Sequence, residues 1–219
     1  MSEIIVVRHG QAAFGTDDYD RLTEVGWEQA RLLGEHLAAA GQPITAVFTG
    51  TMRRHRETLA AIRDVLPAVP NATELPGLNE YDFHQLVAAY LAVAGETIDV
   101  SDSRAFYRTL RQALMAWSRG DLVDVSEPWT AFEARVKATL ARLAAPKGSV
   151  LVVSSGGPIS AMLREVLKLD VETMVNLNLQ AKNTGVTRYF TKGEHFNLNM
   201  FNGVAHLDQP ATRHLITYT

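Results

Sequence analysis

The sequence predicts an α/β protein, a three-layer sandwich in which a mostly parallel sheet is covered by helices on both faces. Three observations lead there. The apolar runs Ile4–Val7 and Val150–Val153 are uninterrupted, as in strands buried on both faces of a parallel sheet. Between residues 4 and 75, short apolar runs alternate with amphipathic helical stretches, which implies right-handed crossovers. A mainly helical segment, 83–145, then follows the third strand as an insertion of lid type.

Each element has its own signal. The first strand ends in Arg8-His9-Gly10-Gln11, where Gly10 lets the backbone turn sharply. After a polar loop over 16–21, Thr23 reads as an N-cap with acidic Glu24 behind it. Leu22, Trp27, Ala30, Leu33, Leu37 and Ala38 form the stripe of a helix running to about Gly41. Thr45–Phe48 reads as the second strand, 51–65 as the second helix and 72–75 as the third strand. From 83 to 144 the pattern is helical in two or three segments, separated by 95–103 and 120–128. Val150–Val153 runs into Ser154-Ser155-Gly156-Gly157-Pro158 and a helix over 159–167. Val186–Phe190 and His195–Phe201 read as an edge hairpin with its turn at Lys192-Gly193-Glu194. No repeat or proline-rich linker interrupts the chain, so 1–219 reads as one domain.

Composition bounds the function. With 219 residues and 47% hydrophobic content, the chain can bury a sizeable core. A formal net charge of -3 supplies no global field for nucleic acid or an anionic membrane, so an anionic ligand needs a local cluster. The absence of cysteine excludes disulfides, thiolate metal sites and a cysteine nucleophile. Glu3 and Arg8 come too early for a signal peptide, and no apolar run spans a bilayer, so a cytoplasmic location is expected.

Chemistry concentrates at the strand ends, where open α/β sheets bind ligands. A guanidinium at Arg8 beside an imidazole at His9 suits holding a phosphate while a neutral ring nitrogen attacks phosphorus. The glycines after Ser155 admit a ligand to backbone amides at a helix N-terminus. Arg54 and Thr58 lie four apart on one helical face, and an inward Arg54 would grip phosphate oxygens with both arms of its fork. Glu80 follows the third strand, where a carboxylic acid can protonate a leaving oxygen. Each signal has an ordinary counterpart: a polar strand end, a tight turn, a solvated basic face, a loop glutamate. The aromatics Tyr90, Phe106, Tyr107, Trp117, Trp129 and Phe132 read mostly as core, with one or two left to line an apolar substrate pocket.

Taken together, these motifs resemble the histidine phosphatase superfamily, also called phosphoglycerate-mutase-like. The matching features are Arg8-His9-Gly10, Leu22-Thr23-x-x-Gly26-x-x-Gln29-Ala30, Arg54-x-x-x-Thr58, Leu78-x-Glu80 and Ser154-x-Gly156-Gly157, in the family's order over about residues 3–168. The resemblance implies that His9 is the nucleophile and forms a phosphohistidine. It implies that Arg8 and Arg54 bind phosphoryl oxygens and that Glu80 is the general acid and later the base. The candidate phosphate-binding set is Arg8, Gln11, Arg54, Ser155 and Gly156, with no cofactor and no metal.

Two positions depart from the family pattern. Ser155 stands where the family has a second histidine, so a neutral hydroxyl replaces a cationic donor. By analogy with deleting one preorganised donor, this lowers turnover by on the order of 10²–10³-fold. His55 and His206 are compositional candidates to compensate, although a lone histidine is more often structural. Glu80-Tyr81-Asp82-Phe83-His84 lacks the insertion of the family's mutases, which favours phosphatase over mutase. The expected function is phosphomonoester hydrolysis through His9, slowed by Ser155. The alternative is a phosphate- or phosphoester-binding protein of little or no turnover, and a mutase ranks last. The expected partner is a small phosphorylated molecule, with neither nucleic acid nor membrane, and the sequence leaves room for a homodimer.

Overall fold

A computed structural model describes residues 2–16, 18–99, 102–193 and 195–218. The elements in chain order are β1 (Ser2–Arg8), α1 (Glu24–Ala39), β2 (Ile44–Thr49), α2 (Arg53–Val65), β3 (Ala72–Glu74), α3 (Phe83–Ala94), α4 (Ser103–Arg119) and α5 (Trp129–Leu143). They continue with β4 (Ser149–Ser154), α6 (Gly156–Leu167), α7 (Val171–Asn178), β5 (Val186–Lys192) and β6 (His195–Gly203). Glu194 of the expected hairpin turn lies outside the described residues, as do Val100 and Ser101 of the 95–103 interval.

The strands form a six-stranded sheet in the order β3-β2-β4-β1-β5-β6. The pairs β1–β4, β2–β4 and β2–β3 are parallel, while β1–β5 and β5–β6 are antiparallel. The sheet is therefore mostly parallel, and the C-terminal hairpin extends it at one edge.

The unbroken apolar runs follow from a sheet covered on both sides, because successive strand side chains point to opposite faces. Ile4, Val6, Phe48, Val150 and Val152 face one core, which takes in Leu86, Phe106, Leu114, Trp117, Phe132, Met162 and Met174 of the five helices α3–α7. Ile5, Val7, Val47, Leu151 and Val153 face the other, against Leu33, Leu37, Leu59 and Ile62 of α1 and α2. Here lie the three expected layers. The segment 83–145 supplies α3, α4 and α5 to the first face, and its Phe106, Trp117, Trp129 and Phe132 are buried there.

Several elements depart from the sequence expectations. The last crossover helix begins at Gly156 rather than near Ile159, since glycines and Pro158 are tolerated in a first helical turn. Helix α7 was not expected. Asp170 caps it by accepting from the Thr173 amide at 2.7 Å. No helix among the described residues is long and apolar enough to cross a membrane.

Candidate active site

The parallel pairing of β1 and β4 sets Arg8 opposite Ser154, and the His9 amide donates to the Ser154 carbonyl at 2.9 Å. The two strand ends singled out in the sequence are thus neighbours. The loop after His9 is fixed by the motif residues around it. The Gly10 amide donates to Thr58 Oγ1 at 3.0 Å, and Thr58 Oγ1 donates to the Arg54 carbonyl at 2.7 Å. The Gln11 amide donates to Gln29 Oε1 at 2.8 Å, and Thr23 Oγ1 caps α1 by accepting from the Gly26 amide at 3.1 Å. A Cβ on Gly10 would come within 2.4 Å of the Gly26 carbonyl oxygen, so only glycine allows this approach of loop to helix. These contacts fix the loop that follows His9.

His9 is buried, and its Nδ1 lies 2.7 Å from the Gly10 carbonyl. A carbonyl oxygen only accepts, so Nδ1 carries the proton and Nε2 keeps its lone pair. Burial pushes the His9 pKa well below the usual histidine range, and the charges of Arg54 and Arg8 push it the same way. The ring is accordingly neutral, which is the nucleophilic form.

Glu80 is held on the other side of the site. Its Oε2 accepts from the Gly157 amide at 3.2 Å, at the first turn of α6. Burial raises its pKa, against the pull of that hydrogen bond and of Arg54 and Arg8. A carboxyl raised in this way can hold a proton for transfer. Its loop is braced by Arg135 of α5, whose Nη1 donates to the Gly77 and Asn79 carbonyls at 3.1 and 2.8 Å.

Arg8 is oriented by backbone. Its Nη1 donates to the Ala181 carbonyl and, at 2.8 Å, to that of Tyr218, while its Nε is buried with no acceptor among the described residues. Arg54 is buried on α2. Its Nη1 donates to Asp20 Oδ1 at 2.6 Å, its guanidinium lies 5.1 Å from the Tyr19 ring centre, and its Nε also lacks an acceptor. Buried guanidinium N–H groups left unpaired are costly, and an anion bound beside them would relieve that cost.

Arg8, His9 and Glu80 line one cavity of about 70 Å³, whose remaining wall includes Phe14, Tyr19, Tyr81, Phe83, Phe106 and Tyr107. Several times the roughly 10–15 Å³ that a single water needs, that space suits a phosphoryl group. Arg54, Gln11, Ser155 and Gly156 are not among the residues that line this cavity. The Gln11 side chain accepts from Thr23 Oγ1 at 2.8 Å. A Cβ built on Gly156 would lie 3.8 Å from Arg8 Nε, so that glycine abuts the guanidinium. His206 lies away from the cavity and pairs with Thr184 Oγ1 at 2.8 Å. His55 does not face solvent. It is fully buried, its Nε2 lies 2.7 Å from Ser155 Oγ, and its ring centre is 5.8 Å from that of His9.

Sequence reasoning missed Phe14, Tyr19 and Tyr218 as parts of the site, along with Asn178, which donates to the Tyr81 hydroxyl at 2.6 Å. Phe14 and Tyr19 sat in a loop without periodicity, and Arg8 reads residues 181 and 218 through their carbonyls, which leave no sequence signal.

The fold thus brings an imidazole, two guanidinium groups and a carboxyl close together beyond the ends of the parallel strands. The chain belongs to the histidine phosphatase superfamily (branch 1), whose profile matches residues 4–203. It is 41% identical over 68 residues to the mitochondrial serine/threonine-protein phosphatase PGAM5 of Xenopus laevis, covering 30% of this chain and 25% of that protein. It is 37% identical over 97 residues to the 2,3-bisphosphoglycerate-dependent phosphoglycerate mutase of a Bradyrhizobium species, covering 39% of this chain and 46% of that protein. The chain thus spans less than half the length of either curated relative. In fold it is similar to the phosphoserine phosphatase of Entamoeba histolytica, solved with 3-phosphoglyceric acid. The TM-score is 0.67 at 16% identity, over 94% of this chain and 100% of that one.

Proposed function

We propose that the protein hydrolyses phosphomonoesters through a phosphohistidine at His9. The observation that carries this reading is the shared cavity: a neutral imidazole with a free Nε2, a guanidinium and a protonatable carboxyl line the same small space. In the first step His9 Nε2 attacks phosphorus, the ester P–O bond breaks, and Glu80 gives its proton to the departing oxygen. In the second step the Glu80 carboxylate takes a proton from water, the resulting hydroxide attacks phosphorus, and the P–N bond breaks to release phosphate. Arg8 and Arg54 neutralise the charge spread over the phosphoryl oxygens, the main task of an enzyme in such a transfer.

The cavity wall also bears on the substrate. Among the described lining residues Arg8 is the sole Arg or Lys, and five aromatic rings of Phe14, Tyr19, Phe83, Phe106 and Tyr107 surround the approach. That suits one phosphoryl group on an apolar or aromatic alcohol, and it offers no second basic group for a bisphosphorylated mutase substrate. One observation favours a second reading, a phosphoester-binding protein without turnover: the Asp20 carboxylate already occupies Arg54 Nη1.

The test is rapid quench after mixing with a radiolabelled aryl phosphate, without added metal. A phosphohistidine is labile to acid and stable to base, and His9→Ala must abolish both label and hydrolysis. Survival of either in that variant ends the proposal. Phosphate binding lost in Arg8→Ala, with no hydrolysis across a broad panel, decides for the second reading.

A further inference from the structure

The segment 215–218 reaches the site through its backbone, and two buried amide side chains hold it there. The Tyr218 carbonyl accepts from Arg8 Nη1 at 2.8 Å, and Tyr218 lines the cavity beside Arg8 and His9. Of the three Arg8 side-chain nitrogens, Nη1 alone has acceptors among the described residues. The rest of the fork is left for a bound anion.

Gln29 and Asn183 are both fully buried, and the steps above use neither. Gln29 joins the loop after His9 to the segment. Its Oε1 accepts from the Gln11 amide at 2.8 Å, while its Nε2 donates to the Leu215 carbonyl at 2.6 Å and to Thr217 Oγ1 at 2.8 Å. Asn183 joins the nucleophilic residue itself to the segment. Its Nδ2 donates to the His9 carbonyl at 3.2 Å, and its Oδ1 accepts from Thr217 Oγ1 at 2.8 Å. The Asn183 backbone amide adds a bond to the Thr217 carbonyl at 2.9 Å.

The directions of these bonds are forced. A backbone N–H only donates and a backbone carbonyl only accepts. The Gln11 amide therefore fixes Gln29 Oε1, and the Leu215 carbonyl fixes Nε2. The His9 carbonyl likewise fixes Asn183 Nδ2, which leaves Oδ1 for Thr217. Between them, the Thr217 hydroxyl must accept from Gln29 and donate to Asn183, and its single proton has one place to go. A network that merely docked a chain segment would not need the catalytic loop. Here each amide side chain binds the segment with one end and the His9–Gln11 backbone with the other.

We propose that Thr217 is a positioning residue: gripped between the Gln29 and Asn183 amides, it seats the segment so that the Tyr218 carbonyl fixes the Arg8 guanidinium for the phosphoryl group. A free arginine side chain loses much rotamer freedom when it takes up a ligand. One that is already held costs no reorganisation during the reaction. This inference rests on the phosphoryl-binding role given to Arg8 in the phosphatase reading.

The test compares the wild type with Thr217→Val, which keeps the side chain's shape without its hydroxyl, and Thr217→Ser, which keeps the hydroxyl. Arg8→Ala and the double variant Arg8→Ala/Thr217→Val complete the set. Each is assayed for the dissociation constant of inorganic phosphate and for kcat/KM on a nitrophenyl phosphate. Thr217→Val should weaken phosphate by about tenfold, in the range of one charge-assisted hydrogen bond, and lower kcat/KM by at least as much. Thr217→Ser should stay close to the wild type on both. In the Arg8→Ala background, Thr217→Val should change kcat/KM by less than about twofold, because a residue acting through another has no separate effect once that one is gone.

A Thr217→Val protein that melts earlier but binds phosphate and turns over like the wild type overturns the proposal. So does an equal loss in Thr217→Ser, or a loss that is the same with and without Arg8. If Thr217→Val does not fold, Thr217→Ala decides on the same readouts, since water in the vacated space can satisfy both amides without holding the segment. Should the wild type form no phosphohistidine, the phosphatase reading fails by itself, and phosphate affinity still tests the seat. Inorganic phosphate that binds the wild type no better than Thr217→Val overturns it.

Discussion

Replacing Gly157 by alanine separates the chemistry of Glu80 from the stability of the helix that holds it. Gly157 lies within α6, where alanine is favoured over glycine by about 1 kcal/mol on backbone grounds. The new Cβ, however, would lie 2.2 Å from Glu80 Oε1 and 2.3 Å from Tyr81 Cε1. Since a close carbon–oxygen approach is about 3.3 Å, the carboxyl must withdraw by roughly 1 Å. Overpacking of this sort costs about 1–3 kcal/mol. Offset by the helix preference, the net loss of stability should be about 0–2 kcal/mol, and the protein should stay folded. The catalytic effect is larger, because a misplacement of about 1 Å costs on the order of 10²-fold, within the range of a general acid. The assay is kcat on two aryl phosphates, phenyl phosphate with a basic leaving group and a nitrophenyl phosphate whose phenolate departs without a proton. The variant should lose about 10²-fold on the first and much less on the second. Gly156→Ala is the control: its Cβ would meet Asn178 Oδ1 at 2.6 Å and not Glu80, so any loss there should not depend on the leaving group. Equal losses on both substrates in Gly157→Ala, or none in a folded variant, would refute the role given to Glu80.

Other perturbations have equally definite signs. With its pKa raised by burial, Glu80 is protonated at low pH. Phosphorylation by a poor leaving group should therefore slow as pH rises through that value, while the depressed pKa of His9 keeps the nucleophile neutral at neutral pH; a pH–rate profile flat over this limb contradicts the assignment. His206, which burial and His36 depress to about 4, stays neutral in the fold while the unfolded chain takes a proton below about 6.5. Its contribution is present above pH 6.5 and lost as pH falls toward 4, amounting to about 2 kcal/mol at pH 5. Unfolding free energies from denaturant titrations at pH 7 and pH 5 should differ less by that amount in His206→Gln than in the wild type. Tyr107→Ala removes a ring from the cavity wall and should raise KM for aryl phosphates several-fold while leaving the inhibition constant of inorganic phosphate nearly unchanged, as measured by steady-state kinetics.

The architecture was legible because its causes are local and periodic. Four apolar residues in a row at Ile4–Val7 and again at Val150–Val153 have one economical explanation, burial on both faces, and the two cores divide those residues alternately. Thr23 announced the start of α1 through its own side chain, which accepts from the Gly26 amide. Helix α7 escaped because its eight residues give barely two turns of pattern, and Asp170 in isolation reads as any loop aspartate. For the site, the sequence singled out Arg8 and His9 at a strand end, Arg54 on a helix face and Glu80 after the third strand, and the family resemblance implied their roles. It gave no hint that Asp20 pairs with Arg54 or that the residue 218 carbonyl holds Arg8. The first contact joins residues 34 apart, and the second uses a group that every residue possesses.

His55 marks the boundary between what a sequence reveals and what only packing can. In isolation, a histidine among arginines at the start of a helix is a solvated side chain, a glycine at position 50 is a turn, and a serine at position 155 is a lost function. Each reading is sound by itself, because residue type fixes what a group can do and not what it meets. In the fold the three become one statement: Gly50 has no Cβ where the imidazole lies, the imidazole ends on the serine hydroxyl, and the serine stands next to the residue that carries His9. A substitution at any one of them changes the chemical meaning of the other two.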